Sequence, residues 1–476
     1  MRAKGKAISS CSAMEIGKKK FLEHSGQANH KLVDESETLR AEENGSCNSW
    51  VVDMPKMLEQ ADPSVEMARW KQRSIYRVPE FIKKTTNSDA YRPQFVSLGP
   101  YHHREPHLLA MEEHKRRALV HLVKRAGKPH TYVQFVEAIE EVVDELQAAY
   151  DDLDDKWRGA NIGSFVEMMV TDGCFLLELI MMVDSILRND EIVDDYAADD
   201  PIFSKRSFLV LWPVMRKDMI AMENQLPLVV LQRLLAVQRG TPPKAREINY
   251  MVGNLLDVEC FEEHMDKLGL HFLDIYYKSY CGVSPCWEGS DYDELRAPCA
   301  VEMSEAGIQF KKSNTNSIHD VDFEDAVLSM PLFDFNDSTE TILLNLMAFE
   351  WLHPYAKDDV VAYVSFMDDI IQSERDVALL ESEGIVLDIT GSKQMVEMFN
   401  YSLTRLGRVN VGNRLGHVQW KIKTYCRKRR NRWQASFVNT YLSNPWVFIS
   451  LVAAVILLVA TLLQTVYTIV PFYTKG

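Results

Sequence analysis

Pro445-Trp-Val-Phe-Ile-Ser-Leu-Val-Ala-Ala-Val-Ile-Leu-Leu-Val-Ala-Thr-Leu-Leu-Gln-Thr-Val-Tyr-Thr-Ile-Val470 runs for 26 residues without a charge. As a helix rising ~1.5 Å per residue it exceeds the ~30 Å hydrocarbon core of a bilayer. Trp446 and Tyr467 stand near its two ends, where amphipathic rings favour the headgroup zone. Just before it lie Lys421, Lys423, Arg427, Lys428, Arg429, Arg430 and Arg432, with no acid among them; after it only Lys475 is charged. A core helix of this length without a charge is rare, so the stretch reads as a transmembrane helix from Pro445 to Val470. The basic excess predicts that the N-terminal side is cytoplasmic. The expected localisation is therefore single-pass and C-terminally anchored, with the plasma membrane as the expected membrane.

Working back from the anchor, the remainder is acidic. The net charge is −15, and without the eight basic residues after position 420, where there are no acids, residues 1–420 carry −23. Such a surface repels nucleic acid, and only the basic collar attracts anionic headgroups, by about 1 kcal/mol per residue near the surface. The expected partners are a lipid bilayer and an unidentified protein, not nucleic acid. Eight cysteines form no Cys-x-x-Cys pair, so reduced thiols are expected. Cys281, Cys286 and Cys299, with His271 nearby, match no common zinc spacing. Neither a metal nor a cofactor is expected. Residues 1–20 mix lysines with small residues and lack the apolar run of a signal peptide, and Met1-Arg2 does not fit the myristoylation pattern.

Residues 1–65 are polar and short of aromatics, which predicts a disordered arm, with Trp50 to Leu58 as a short docking helix. Residues 66–420 read as one large helical domain. Pro93 and Gly99-Pro100 bound an extended segment from Phe95 to Leu98. From His107 a helical stripe (Leu108, Met111, Leu119, Leu122, Val123) faces inward, with Glu112, Glu113, Lys115, Arg116 and Arg117 expected outside. Tyr132 to Tyr150 reads as a second amphipathic helix and Asp151 to Asp155 as an acidic loop. Phe165 to Leu187 is almost wholly apolar but carries Glu167, Asp172, Glu178 and Asp184; four acids argue for a core helix, not a second span. Asn189 to Asp200 reads as a solvated acidic loop. Helices follow at Phe208–Val237 (in two parts, with Pro227 opening the second), Glu247–Leu268 and His271–Tyr280, then a loop over 281–298. From Val301 the period shifts toward two, predicting a small inserted antiparallel β-meander. Helices resume at Thr339–Trp351, Val360–Ser373, Glu374–Leu380, Gly391–Tyr401 and Gly412–Arg430. A basic juxtamembrane segment over 421–444, the anchor over 445–470 and a tail over 471–476 complete the division. The expected fold class is mainly α.

Several blocks together carry a resemblance: Ile75-Tyr-Arg-Val-Pro79, Val96-Ser-Leu-Gly-Pro-Tyr-His-His103, Met111-Glu-Glu-His-Lys115, Asp172-Gly-Cys-Phe-Leu-Leu-Glu-Leu179, and Asp218 to Pro227 with its Glu-Asn-Gln-Leu-Pro core. Leu273-Asp274, Glu305-Ala-Gly-Ile-Gln-Phe-Lys311, Phe366-Met-Asp-Asp369, and Asn444-Pro-Trp446 with Leu463-Gln-Thr-Val-Tyr467 continue them in order. The chain resembles the plant family called domain of unknown function 247. That resemblance implies a mainly helical plant domain with a C-terminal membrane helix and no established enzymatic activity. Some grass members are implicated as pollen-side specificity determinants of self-incompatibility, which implies a recognition role. Two departures stand out: Arg104-Glu105 follow the His pair where a glycine is expected, and Trp351 follows Glu350 where a glutamine is expected.

Two candidate sites compete with a purely structural reading. His102, His103, His107, Glu112, Glu113 and His114 have the chemistry of a metal or acid–base site. Pro106 interrupts the spacing, however, and the His-Glu-x-x-His order is absent. The structural alternative is a Gly-Pro turn whose rings cap the next helix, with Glu112 and Glu113 on an exposed face. Glu178 and Glu223 lie in apolar surroundings, where a carboxyl pKa rises and acid–base catalysis becomes possible, though pairing with Arg or His serves equally. No nucleophile elbow, phosphate loop or dinucleotide fingerprint accompanies them. The leading expectation is a membrane-anchored interaction or recognition protein; the alternative is a membrane-tethered enzyme using His102–His114 or the buried carboxylates. Outward topology would expose the sequons at Asn44, Asn336 and Asn400.

Overall fold

The computed structural model describes residues 63–127, 131–188, 196–260, 265–282, 296–403, 414–427 and 445–473. The N-terminal arm to residue 62, the Trp50–Leu58 docking helix, the acidic loop to residue 195, most of the 281–298 loop and the basic residues Lys428, Arg429, Arg430 and Arg432 lie outside the described residues. The fold is mainly helical, with two small sheets.

The first half is α1 (Pro63–Gln72), α2 (Glu80–Thr85), α3 (Leu109–Ala126), α4 (Thr131–Glu140), α5 (Val143–Ala148), α6 (Ile162–Arg188), α7 (Lys205–Ile220), α8 (Leu228–Arg239), α9 (Ala245–Leu256) and α10 (Phe272–Cys281). Helix α6 is its axis: 17 of its 27 residues are buried, and α3, α4, α8 and α9 pack around it. A helix enclosed on every side loses the one-faced pattern of a surface helix, which is why Phe165–Leu187 reads as nearly continuous apolar sequence. Its inward acids are paired, while Glu167 faces solvent.

The second half contains α11 (Ala300–Glu305), β1 (Gln309–Lys312), β2 (Asp322–Glu324), β3 (Val327–Met330), β4 (Phe333–Phe335), α12 (Thr339–Leu352), α13 (Asp359–Ile370), α14 (Glu374–Ser382), β5 (Val386–Asp388), α15 (Ser392–Glu397, continued by a π turn over Met398–Leu403) and α16 (Arg414–Arg427). Apolar side chains of both halves form one continuous core. The β insert exists but is not an antiparallel meander. Strand β3 pairs in parallel with β1 and antiparallel with β2, and β4 pairs in parallel with β5 some 50 residues later. Strands of three or four residues are too short for alternation to reveal their partners.

Two helix predictions need correction. The chain breaks at Glu141–Val142 between α4 and α5, and Val142 has left helical geometry at φ −119°, ψ 13°. The Glu247–Leu268 helix stops at Leu256, because Asp257 turns into the left-handed region (φ 52°). The rest follow their local signals. Ser204 caps α7 by accepting from the Ser207 amide, and Ser373 with Asp376 forms a capping box on α14.

The last helix, α17 (Pro445–Tyr473), is 29 residues long. Among the described residues it is the one helix long and apolar enough to cross a membrane. Phe448, Ile449, Val455, Ile456, Leu457, Leu458, Leu462, Leu463 and Val466 are all exposed on it. Those positions surround the helix, so its whole circumference is apolar.

Candidate functional site

The motif blocks scattered along the sequence converge on one irregular stretch of backbone. From Gln94 to Gly99 the chain has no sheet partner, so its amides need side-chain acceptors, and buried amides left unpaired cost about 1–3 kcal/mol each. Asp218, near the end of α7, accepts from the Gln94, Phe95 and Val96 amides at 2.8, 2.7 and 2.7 Å. Burial still pushes its pKa up, to about 6, against the pull of those three bonds. Asn224 accepts from the Leu98 amide at 2.6 Å and donates to the Val96 carbonyl at 3.0 Å. Asp172, on α6, accepts from the Gly99 amide at 2.8 Å.

Gln225 binds the other side of the same turn. Its amide donates to the Met219 and Ala221 carbonyls, its side-chain oxygen accepts from the Leu273 amide, and its own carbonyl accepts from the Tyr150 hydroxyl. His271 caps α10, donating to the Ser74 carbonyl at 2.9 Å and accepting from the Asp274 amide at 3.2 Å. Burial drives its pKa down to about 4 and keeps it neutral, as that pattern of one donating and one accepting nitrogen requires. The Glu-Asn-Gln-Leu-Pro core and the Val96–His103 block are two sides of one buried polar clasp.

Against this clasp the sequence candidates do not gather into one cluster. His102 is buried, with Nδ1 2.7 Å from Glu105 and Nε2 3.3 Å from Glu223. Glu223 also meets Lys83 at 2.7 Å and accepts from the Val78 amide at 2.8 Å. Burial would raise the Glu223 pKa, but His102, Lys83 and that amide outweigh it and hold it below the ordinary range. Of the two readings of Glu223, the structure has pairing and not a raised pKa: its carboxylate is held as an anion by Lys83 and His102. Glu178 lies elsewhere, bonded to Arg125 and the Tyr196 hydroxyl. His107 is half exposed, 3.7 Å from Glu105, and Glu113 is exposed. His103 lies apart from these, 4.0 Å from Glu112 and edge-on to Trp157 with ring centroids 5.4 Å apart.

The rings of the Gly-Pro turn do not cap the next helix; they pack inward, Tyr101 on Tyr150 and His103 on Trp157. Pro106 opens a 3-10 turn that leads into α3 instead. The exposed charged face predicted for α3 also needs correction. Lys115 is fully buried, contacting Asp172 at 2.8 Å, Glu112 at 2.7 Å and Ser97 at 3.0 Å, and Glu112 is mostly buried with it. Position gives the signal that residue type hides: 111, 115, 118 and 122 share one helical face. No group of three His, Cys, Asp or Glu side chains among the described residues could hold a metal ion.

Two clefts remain. One, of about 340 Å³, lies between α7, α10, α12 and β4 and includes Arg216, Asp257 and Tyr363; Arg216 is bonded to the Leu256 carbonyl there. The other, of about 420 Å³, lies beside His103 between α3, the Lys156–Trp157 turn and α6.

The model of a family of plant proteins of unknown function, DUF247, matches residues 75–460. Two proteins of Arabidopsis thaliana are similar over most of the chain. UPF0481 protein At3g47200 is 26% identical over 445 residues, covering 86% of this chain and 88% of that protein. Putative UPF0481 protein At3g02645 is 21% identical over 520 residues, covering 87% and 93%. No solved structure matches the chain.

Proposed function

We propose, from the premise that this chain belongs to the DUF247 family of plant proteins, that it is a membrane-tethered interaction protein. In this reading α17 is the tether and the helical domain is presented to protein partners at the cytoplasmic face. The observation that carries it is the circumference of α17: a 29-residue helix with apolar side chains exposed all round has no use for water on any face. At ~1.5 Å per residue it extends roughly 43 Å, long for a thin bilayer and better suited to a thicker one, which supports the plasma membrane. The basic residues before it support a cytoplasmic domain.

An interaction role is supported by where the polar chemistry goes. Asp218, Glu223, Asn224, Gln225 and Asp172 hold backbone or ion partners inside the fold. What the domain offers outward is an acidic surface, of the kind that steers and selects charged partners. Signalling, and specificity of the self-incompatibility kind, are both instances of such a role.

The test is extraction. The intact chain expressed in plant cells is expected to stay in the membrane pellet through an alkaline carbonate wash. A chain ending at Asn444 is expected in the soluble fraction. Release of the intact chain by carbonate, or pelleting of the shortened chain, would overturn the tether.

A further inference from the structure

The cleft beside His103 reverses the charge of the molecule around it. In a chain of net charge −15, its lining brings together Arg104, Arg116 and Lys156. Two acids also line it: Glu112 is paired with Lys115, and Glu167 is exposed, so the three cations exceed the lining carboxylates by one. Arg104 and Arg116 make no ion pair among the described residues, and both are exposed. Lys156 reaches Asp154 at 3.3 Å and lies 5.3 Å from the centre of the Trp157 ring.

Two further observations point to a ligand. Trp157 is only 6% exposed, yet its indole N–H has no hydrogen-bond acceptor among the described residues. Buried indole donors ordinarily find one. The Nδ1 of His103 is likewise without a hydrogen bond, 4.0 Å from Glu112, and burial lowers that imidazole's pKa to about 4 so that it stays neutral. Arg104 itself occupies the left-handed region at φ 63°, where a side chain is strained and glycine is not. Strain held at the rim of a cleft by a charged side chain is a reason to look for function there.

We propose that this cleft binds a multiply charged phosphate ester. Arg104, Arg116 and Lys156 hold the phosphoryl oxygens, and the Trp157 and His103 rings form part of the cleft wall. Planar guanidinium groups match phosphate in a two-point contact, and three cations suit at least two phosphoryl groups. The volume suits a headgroup-sized molecule. Such a headgroup occurs both free in solution and on a lipid, and the tether reading is not needed for either.

The experiment uses the intact chain in detergent, titrated calorimetrically with inositol 1,4,5-trisphosphate. Saturable binding is expected, weakening as salt rises. Arg104→Gly is expected to reduce affinity tenfold or more while leaving the unliganded melting temperature unchanged or higher, because glycine relaxes the backbone there. Loss of binding with the fold intact separates a ligand contact from a structural one. Arg116→Ala supplies a second, independent loss. Competition by vesicles of phosphatidylcholine containing phosphatidylinositol 4,5-bisphosphate, stronger than by the free headgroup, assigns the lipid source; no such gain assigns the soluble one. Absence of binding to both probes, or full affinity in both arginine variants, would overturn the site.

Discussion

Replacing Gly99 with alanine is expected to destabilise the fold severely and to lower its soluble yield. Gly99 has φ 73°, and a Cβ built on it would lie 2.6 Å from the Gln225 carbonyl oxygen and 2.8 Å from the Tyr150 hydroxyl. Neither can retreat, because those two atoms bond to each other at 2.9 Å inside the clasp. The left-handed backbone alone costs a side chain about 1–2 kcal/mol. Overpacking against fixed backbone adds about 1–3 kcal/mol, so the total of about 2–5 kcal/mol reaches at most the lower end of the ~5–15 kcal/mol that holds a typical domain together. Gly127 is the control. Its φ is 65°, but the nearest atom to an added Cβ is the Arg125 carbonyl at 3.9 Å, so Gly127→Ala should cost only the backbone part. Melting temperature and soluble yield in detergent read the difference. Equal, small losses in both variants would mean that the turn at Gly99 is looser than described.

Removing the ammonium of Lys115 is expected to have an effect of similar size. Lys115→Met keeps much of the stem but leaves Asp172, itself 1% exposed, as a buried carboxylate supported only by the Gly99 amide. Breaking one partner out of a buried pair costs about 3–5 kcal/mol, whereas replacing both can be nearly neutral. The double variant Lys115→Met with Asp172→Asn keeps an acceptor for the Gly99 amide and removes the more deeply buried of the two charges that Lys115 pairs, leaving Glu112 with the Ser97 hydroxyl. It should therefore recover much of the loss, and a double-mutant cycle measured by denaturant unfolding should show strong coupling. Simple additivity would contradict the pairing.

These two positions also show how far the sequence was legible. The enclosed helix α6 and the apolar helix α17 were readable from length and composition, because apolar runs of that size have few destinations. The blocks that carry the family resemblance were visible as letters, but their shared task was not. Asp218 and Gln94 are 124 residues apart, and a side chain that substitutes for a missing sheet partner leaves no periodic trace. Lys115 was misplaced because its charge outweighed its position on the inward stripe. Pairing of Glu223 was readable as the structural alternative, but apolar neighbours in sequence gave no sign that its partners are Lys83 and His102. Strand β5 lies too far from β4, and is too short, for pairing to be read. The cleft at Arg104 was hinted at by a single departure, an arginine where the resemblance called for glycine, and only the backbone angle shows why that matters.

The central claim, a helical domain held at the cytoplasmic face by α17, is tested most directly by topology. Sealed, right-side-in vesicles from plant cells expressing the intact chain would be treated with protease and, separately, with endoglycosidase. Digestion of the domain without detergent, and no mobility shift after deglycosylation, is the predicted result. A domain protected until detergent is added, with a shift that disappears when Asn336 and Asn400 are replaced, would place it on the opposite side and contradict the account.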